Sequence, residues 1–341
     1  MKFIKYLIFS LLLSVFGMAK ADGKQAGKFS GYMFGDYYYV AANHNVDWEK
    51  LNGIWFRRIY FTYDRNLSEA FSVRFRLEMA HPGDFSTKAT AVPFVKDAYL
   101  KYKTGKNQII LGISPTPTIE IYDKMWGYRA VEKSPLDLQK FASSREFGVT
   151  FSGALDEDSR VKYHLTLANG NGNKSETNKG KKAILALDFY PIKNFVIELY
   201  GDYDDLPGKN DWYTAELFAA YKTRKVRVGV MFARQTRKAE VGKDLNLEIA
   251  SAFLTSKVSG KTKLFVRVDR MFDPNPGGNK IAYIPFDPTA KSTFMVGGLD
   301  FAPIKDVHFM PNIETVVYGK NENGVKPNTD IIPRLTFFYR F

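Results

Sequence analysis

The sequence predicts an all-β chain closed into an antiparallel transmembrane β-barrel of about sixteen strands. Three observations carry the prediction. Apolar and polar residues alternate with period two almost everywhere after Lys28, the pattern of a strand with one apolar and one wet face. Most alternating segments are close to the ~9–11 residues that a tilted strand needs to cross a bilayer. The connections alternate in length, as short turns at one barrel end and long loops at the other require.

The expected strands are 29–41, 53–66, 69–81, 94–103, 107–115, 145–153, 159–169, 181–190, 194–204, 211–222, 226–236, 244–256, 262–273, 291–302, 306–319 and 329–341. In "FSVRFRLEMA", Phe71, Val73, Phe75, Leu77 and Met79 oppose Ser72, Arg74, Arg76 and Glu78. In "KVRVGVMF", Val226, Val228, Val230 and Phe232 share one side. The tight connections are "NLSE", "TGKN", "ALDED", "PIKN", "TRK", "SGK" and "PIKD". The two that open on Pro suit a strand end, because Pro cannot donate to a ladder. The last strand, "IIPRLTFFYRF", sets Leu335, Phe337, Tyr339 and Phe341 against Arg334, Thr336, Phe338 and Arg340.

A soluble β-sandwich alternates as well. Against it stand continuous apolar faces with aromatic residues near their ends, as at Trp55 and Trp212, which fit girdles at a membrane interface. A sheet of this width also curls or splits rather than staying open. In lipid, closure is obligatory, since an open edge leaves backbone groups unpaired.

Composition narrows the function. The 341 residues include no Cys, which excludes disulfides, thiolate metal sites and a cysteine nucleophile. Residues 1–21 have the layout of a signal peptide: Lys2 and Lys5, an apolar run too short to span, then "AKA". The barrel domain is then 22–341. The formal charge of +13 falls to about +10 without that leader. Its cations are spread along the chain with no long Lys/Arg run, which argues against nucleic acid and leaves small anions or an acidic surface. The four histidines show no metal-ligand spacing, and no motif selects a nucleophile, so neither cofactor nor catalysis is expected.

Several segments resemble the phosphate-selective porin O and P family. "FRRIYFTYDRNLSEAFSVRFRLEMA", "VKDAYLKYK" with "IILGISPTP", and "REFGVTFSG" with "VKYHLTLANGNG" follow the family order over residues 53–172. The resemblance implies a sixteen-stranded outer-membrane porin, trimeric, that passes small hydrophilic, mainly anionic solutes. It does not single out phosphate, and that specialised ladder of lumen cations does not map onto this chain residue by residue. The terminal Phe341 is similar to the signal read by the barrel assembly machinery.

Strand parity names the expected pore wall. Inward cations are Arg58, Arg74, Arg76, Lys101, Arg160, Lys162, Lys182, Arg227, Lys263, Arg267, Arg334 and Arg340; inward acids include Glu78, Asp97, Glu146, Asp188, Glu198, Asp202, Glu216 and Asp269. Rings of like charge bias which ions enter. Arg58, Arg74 and Arg76 lie on neighbouring strands and can share one wall, with the acids of "IELYGDYDD" on another. The alternative is that these charges pair and only stiffen the barrel.

The long connection 116–144 is expected to fold into the lumen and narrow it, with Tyr122, Lys124, Trp126, Tyr128, Arg129 and Lys133 as constriction candidates. In "SPLDLQKFA", Ser134 and Pro135 open a short helix. The other placement is at the mouth or a trimer contact. Alternatives for the whole chain are a solute-specific channel with Tyr122, Trp126 and Tyr128 as a stacking track, a plugged structural or adhesive barrel, and a barrel-borne hydrolase.

Overall fold

Sixteen antiparallel strands close on themselves in a computed structural model that describes residues 26–88 and 90–341. The expected signal peptide, residues 1–21, lies outside these described residues. The first eight strands are β1 (Lys28–Tyr39), β2 (Asn52–Asn66), β3 (Phe71–Ala80), β4 (Val92–Thr104), β5 (Asn107–Pro115), β6 (Arg145–Ala154), β7 (Val161–Ala168) and β8 (Lys182–Phe189). The second eight are β9 (Phe195–Asp204), β10 (Trp212–Lys222), β11 (Val226–Arg237), β12 (Leu245–Lys257), β13 (Thr262–Met271), β14 (Ser292–Ile304), β15 (Val307–Tyr318) and β16 (Asp330–Arg340).

Each strand pairs with its neighbours in sequence. β1 and β16 complete the ring, with Tyr32 opposite Arg340 and Tyr38 opposite Arg334. Every expected strand is present, with its ends within two residues. Among the described residues the short turns collect at one end and the long connections at the other.

Alternation decides the two faces. Ile54, Phe61, Leu217, Val230, Phe232, Ile313 and Leu335 are exposed on the outside, while Thr62, Glu78, Asp97, Glu198, Arg267 and Glu314 are buried inside. Among the described residues three register slips break the rule, one of them near the turn end of β14–β15 between Phe301 and Ile304. Opposite β1, the register slips between Phe34 and Gly35, which face Arg58 and Phe56 and leave Arg57 as the extra residue. Between β3 and β4 it slips again: Arg76 faces Asp97, Leu77 faces Val95, and Lys96 is extra. A bulge lets two consecutive side chains share a face, so Arg57 joins Arg58 inside and Lys96 joins Asp97.

The two tryptophans taken as girdle residues point inward instead. Trp55 is buried, donates to Asp36 and stacks on Tyr38 at 4.1 Å. Trp212 stands in phase with the buried Thr214, Glu216 and Phe218, under the Arg237 guanidinium at 4.1 Å. Aromatic residues do occur outside near strand ends, including Phe29, Tyr203, Tyr213, Phe301 and Phe341, all exposed.

Loop L3 (116–144) folds into the lumen. Its helix α1 (Pro117–Trp126) was not anticipated, although the sequence carries its signals: Thr116 at the N-cap, Pro117 in the first turn and Gly127 after the end. Gly127 takes φ 80°, and a Cβ there would strike the Arg227 guanidinium. Ile119, Tyr122 and Trp126 lie on one helical face and are buried. Tyr122 meets Phe218 at 5.1 Å and Phe253 at 5.4 Å; Tyr128 stacks on Phe265 at 4.4 Å. The predicted helix at Pro135 is a single turn, α2 (Pro135–Leu138). Loop L7 (272–291) also turns inward, and its Ile281, Ile284 and Phe286 share one apolar core with Leu136 and Leu138 of L3. The lumen core thus sits on the β9–β16 side.

Candidate functional site: a charged eyelet inside the barrel

Two arginines grip L3 at three consecutive residues. From β2, Arg57 donates to the Val131 carbonyl and pairs with Glu132 at 3.2 Å. From β13, Arg267 donates to the Lys133 carbonyl and pairs with Asp269 at 2.6 Å. Arg57 also pairs with Asp36 at 2.7 Å and Glu314 at 3.1 Å, and Arg334 pairs with the same two acids at 3.2 and 2.8 Å. All of these groups are buried. Desolvating so many charges is tolerable only because each has close opposite partners. Thr116 closes the loop neck by donating to the Ser143 carbonyl at 2.6 Å.

Pinned there, L3 faces a band of cations on β2–β6. Arg58 and Lys96 pair with Glu78 at 2.6 and 3.0 Å. Arg76 pairs with Asp97 at 3.3 Å, and Arg145 pairs with the same carboxylate. Lys96 also donates to Ser144 at 3.1 Å. From the loop, Arg129 approaches Asp123 at 3.5 Å and Asp137 at 3.7 Å.

The pairs are layered. The side chains of Arg58, Arg76, Lys96 and Arg145 are 12–15% exposed, while Glu78 and Asp97 beneath them are 2% and 0% exposed. Four cations over two buried carboxylates therefore present a cationic surface. Field lines spread more strongly from charges at the water boundary than from those behind them. L3 contributes both signs: Arg129 is 27% exposed, Asp123 21% and Asp137 18%. Burial pushes the Asp123 carboxyl up to about 7, against the pull of Arg129. Burial pushes the Lys133 amine down to about 8, with Asp137 opposing.

Acids concentrate on the adjoining arc of the ring. On β6, β8 and β9, Lys182 holds Asp204 at 3.4 Å, Asp202 at 3.7 Å and Glu146 at 4.0 Å. Glu198 and Glu216 lie buried beside them on β9 and β10, and Thr118 of α1 donates to Glu216.

At the turn end, below L3, a cavity of about 390 Å³ is lined by Arg129, Arg224, Lys225, Arg227, Lys257, Lys263 and Arg340, against only Asp123 and Asp300 as acids. On the other side of α1, a cavity of about 580 Å³ has Lys103, Lys106, Lys124 and Lys162 against Glu120 and Asp188. At the loop end, a cavity of about 290 Å³ is mixed, with Lys140 and Lys182 against Asp137, Glu146 and Asp204.

Solved structures share this architecture. An anion-selective porin from Comamonas acidovorans superposes with TM-score 0.67 at 10% identity, over 93% of this chain and 99% of that one. The outer membrane channel DcaP of Acinetobacter baumannii gives 0.66 at 10% identity, over 94% and 100%. OmpF of Salmonella typhi, in a complex with daunomycin, gives 0.65 at 10% identity, over 92% and 97%. The fold is that of the outer-membrane porins. No protein-family model and no curated protein matches the chain, so the resemblance to the phosphate-selective branch has no independent support.

Within this porin fold the expected wall residues separate by position. Arg58 and Arg76 border the eyelet. Arg74 pairs with Asp64 at 2.7 Å near the turn end, and Lys101 lies inside opposite Ser72 and Ile110. Lys162, Lys263, Arg227 and Arg340 line the turn-end cavities. Arg267 and Arg334 face inward but are covered by L3 and L7, where they hold loops rather than meet solvent. Arg160 is corrected: it sits in the turn before β7, two-thirds exposed, beside Asp158 at 3.5 Å.

Of the loop candidates, Lys124 is exposed, and Arg129 and Lys133 are half-buried. Tyr122, Trp126 and Tyr128 are buried in packing, which removes the stacking track. Arg57, Lys96 and Arg145 went unrecognised. For Arg57 the signal exists: outward Ile54 and Phe56 are followed by outward Ile59 and Phe61, a phase slip that requires a bulge.

Proposed function

We propose that the protein is an outer-membrane porin, a passive water-filled channel for small hydrophilic solutes with a preference for small anions. The observation that carries the reading is the layered eyelet, in which Arg58, Arg76, Lys96 and Arg145 meet solvent over buried Glu78 and Asp97. The basic cavities below it extend the same bias toward the turn end. In a membrane the apolar outer face contacts lipid, the turns lie in the periplasm and the loops outside. Export through residues 1–21, recognition of Phe341 by the assembly machinery and a homotrimeric state belong to this reading. One solved neighbour, OmpT of Vibrio cholerae, is described in a trimer form. Phosphate is one small anion the eyelet suits, with nothing that selects it over others. The reading includes no cofactor and no catalysis.

The test is a planar bilayer with a salt gradient. The expected result is stepwise conductance with a reversal potential on the anion side. Absence of conductance would refute the porin and favour a plugged barrel; a cation-directed potential would refute the anion preference; block by low concentrations of a sugar would favour a solute-specific channel.

A further inference from the structure

We infer that L7 is a second lumen strap, and that Tyr283 at its tip is a specificity-determining positioning residue that masks the paired arginines of the β2 bulge. The inference rests on the porin reading and adds an element that limits how cationic the pore is.

L7 reaches deep. Arg57 lies five residues from the loop-end start of β2 at Asn52, roughly 16 Å along the strand. Tyr283 is buried there. Its ring covers both guanidinium groups, at 5.0 Å from Arg57 and 5.5 Å from Arg58, a cation–π arrangement. Its hydroxyl accepts from Arg58 at 2.8 Å and lies 2.6 Å from the His81 carbonyl and 2.9 Å from the Arg57 carbonyl. Arg334 donates to its carbonyl, and its own N–H donates to the Gly83 carbonyl at 2.6 Å. The two strands that flank β1, namely β2 and β16, and loop L2 (81–91) therefore converge on one residue.

The backbone is shaped for that contact. Tyr283 takes φ 74°, a left-handed conformation that a bulky side chain adopts only when its surroundings enforce it. Gly83, at φ 71°, faces it so closely that a Cβ would come within 2.6 Å of the Tyr283 ring and 2.8 Å of its backbone nitrogen. The L2–L7 junction thus has no room for a side chain at 83. L7 is also tied to L3, since Asn275 donates to the Gln139 carbonyl at 3.0 Å and Lys140 to the Lys280 carbonyl at 2.8 Å.

Together with the carboxylates and the L3 backbone that hold Arg57, this arrangement explains why two adjacent arginines, lifted to the same face by a bulge, contribute only one partly exposed edge. Arg57 is 3% exposed and Arg58 12%. Withdrawal of the strap would uncover Arg58 and open the L7 side of Arg57, which stays paired with Asp36, Glu132 and Glu314.

The test compares native protein with Tyr283→Ala, Gly83→Val and Tyr283→Phe in planar bilayers, each checked for a folded barrel by its migration in unheated detergent gels. Tyr283→Ala removes the mask, and Gly83→Val dislodges it without changing the sequence of L7. Both should raise single-channel conductance about 1.5-fold and the chloride-to-potassium permeability ratio about twofold, because uncovered guanidinium groups enter the ion path. Tyr283→Phe keeps the ring over both arginines and should retain the native ratio. A native channel whose Ala and Val variants leave conductance and ratio unchanged, or shift the ratio toward cations, overturns this inference alone. A native protein that does not conduct overturns the porin reading and this inference together.

Discussion

Replacing Arg57 with alanine removes the cation that joins β2 to L3. In the native cluster, Arg57 and Arg334 face Asp36, Glu132 and Glu314, a formal balance of −1 among groups that are all buried. The substitution leaves Arg334 alone with three carboxylates, a balance of −2. Breaking a buried pair by deleting one partner costs about 3–5 kcal/mol, because the remaining charge is desolvated without compensation. The Val131 carbonyl also loses its donor. The assay is urea unfolding of the barrel in lipid vesicles, followed by the fluorescence of buried Trp55 and Trp126. Adding Glu132→Gln to Arg57→Ala returns the balance to −1 and should recover a substantial part of the loss, which is the coupling a double-mutant cycle measures. The reasoning is refuted if Arg57→Ala lies within about 1 kcal/mol of native, or if the double variant is no more stable than the single one.

Three further outcomes follow from the eyelet. Lys96→Glu places a carboxylate at the water boundary beside Glu78 and should lower the chloride-to-potassium permeability ratio about threefold or more in a salt-gradient measurement. Anion preference should fall as pH rises from 6 to 9. Asp123, raised to about 7, gains its negative charge across that window, and Lys133, lowered to about 8, loses its positive one, so both changes have the same sign. A ratio constant over that window, or rising with pH, contradicts this. Deletion of 120–140 removes most of α1, the gripped residues and α2, and should raise conductance roughly twofold. Unchanged conductance would place L3 outside the ion path.

Much of the fold was legible because its information is local. Period-two alternation reports a strand with two different environments, and it located all sixteen strands and the closing role of "IIPRLTFFYRF". The length and aromatic content of 116–144 pointed to a folded inward loop, and the signals at Thr116, Pro117 and Gly127 could have given its helix as well. The candidate site was less legible. Parity put Arg58 and Arg76 inside correctly, yet it also put Arg267 and Arg334 on an open wall, where two loops cover them. It made Trp55 an outer girdle residue, because a strict period of two has no place for the extra residue at Arg57.

The sequence by itself determined which segments become strands, which face of each is apolar, and that the sheet must close, since each follows from neighbours along one chain segment. Only the tertiary structure decided which charges reach water. That depends on partners far apart in sequence: Arg57 with Glu314, Arg267 with the Lys133 carbonyl, Tyr283 with Gly83 and Arg58. The energy of a buried charge is set by the groups that surround it in three dimensions. No pattern along a strand could show that Glu78 and Asp97 would sit behind their cations rather than beside them.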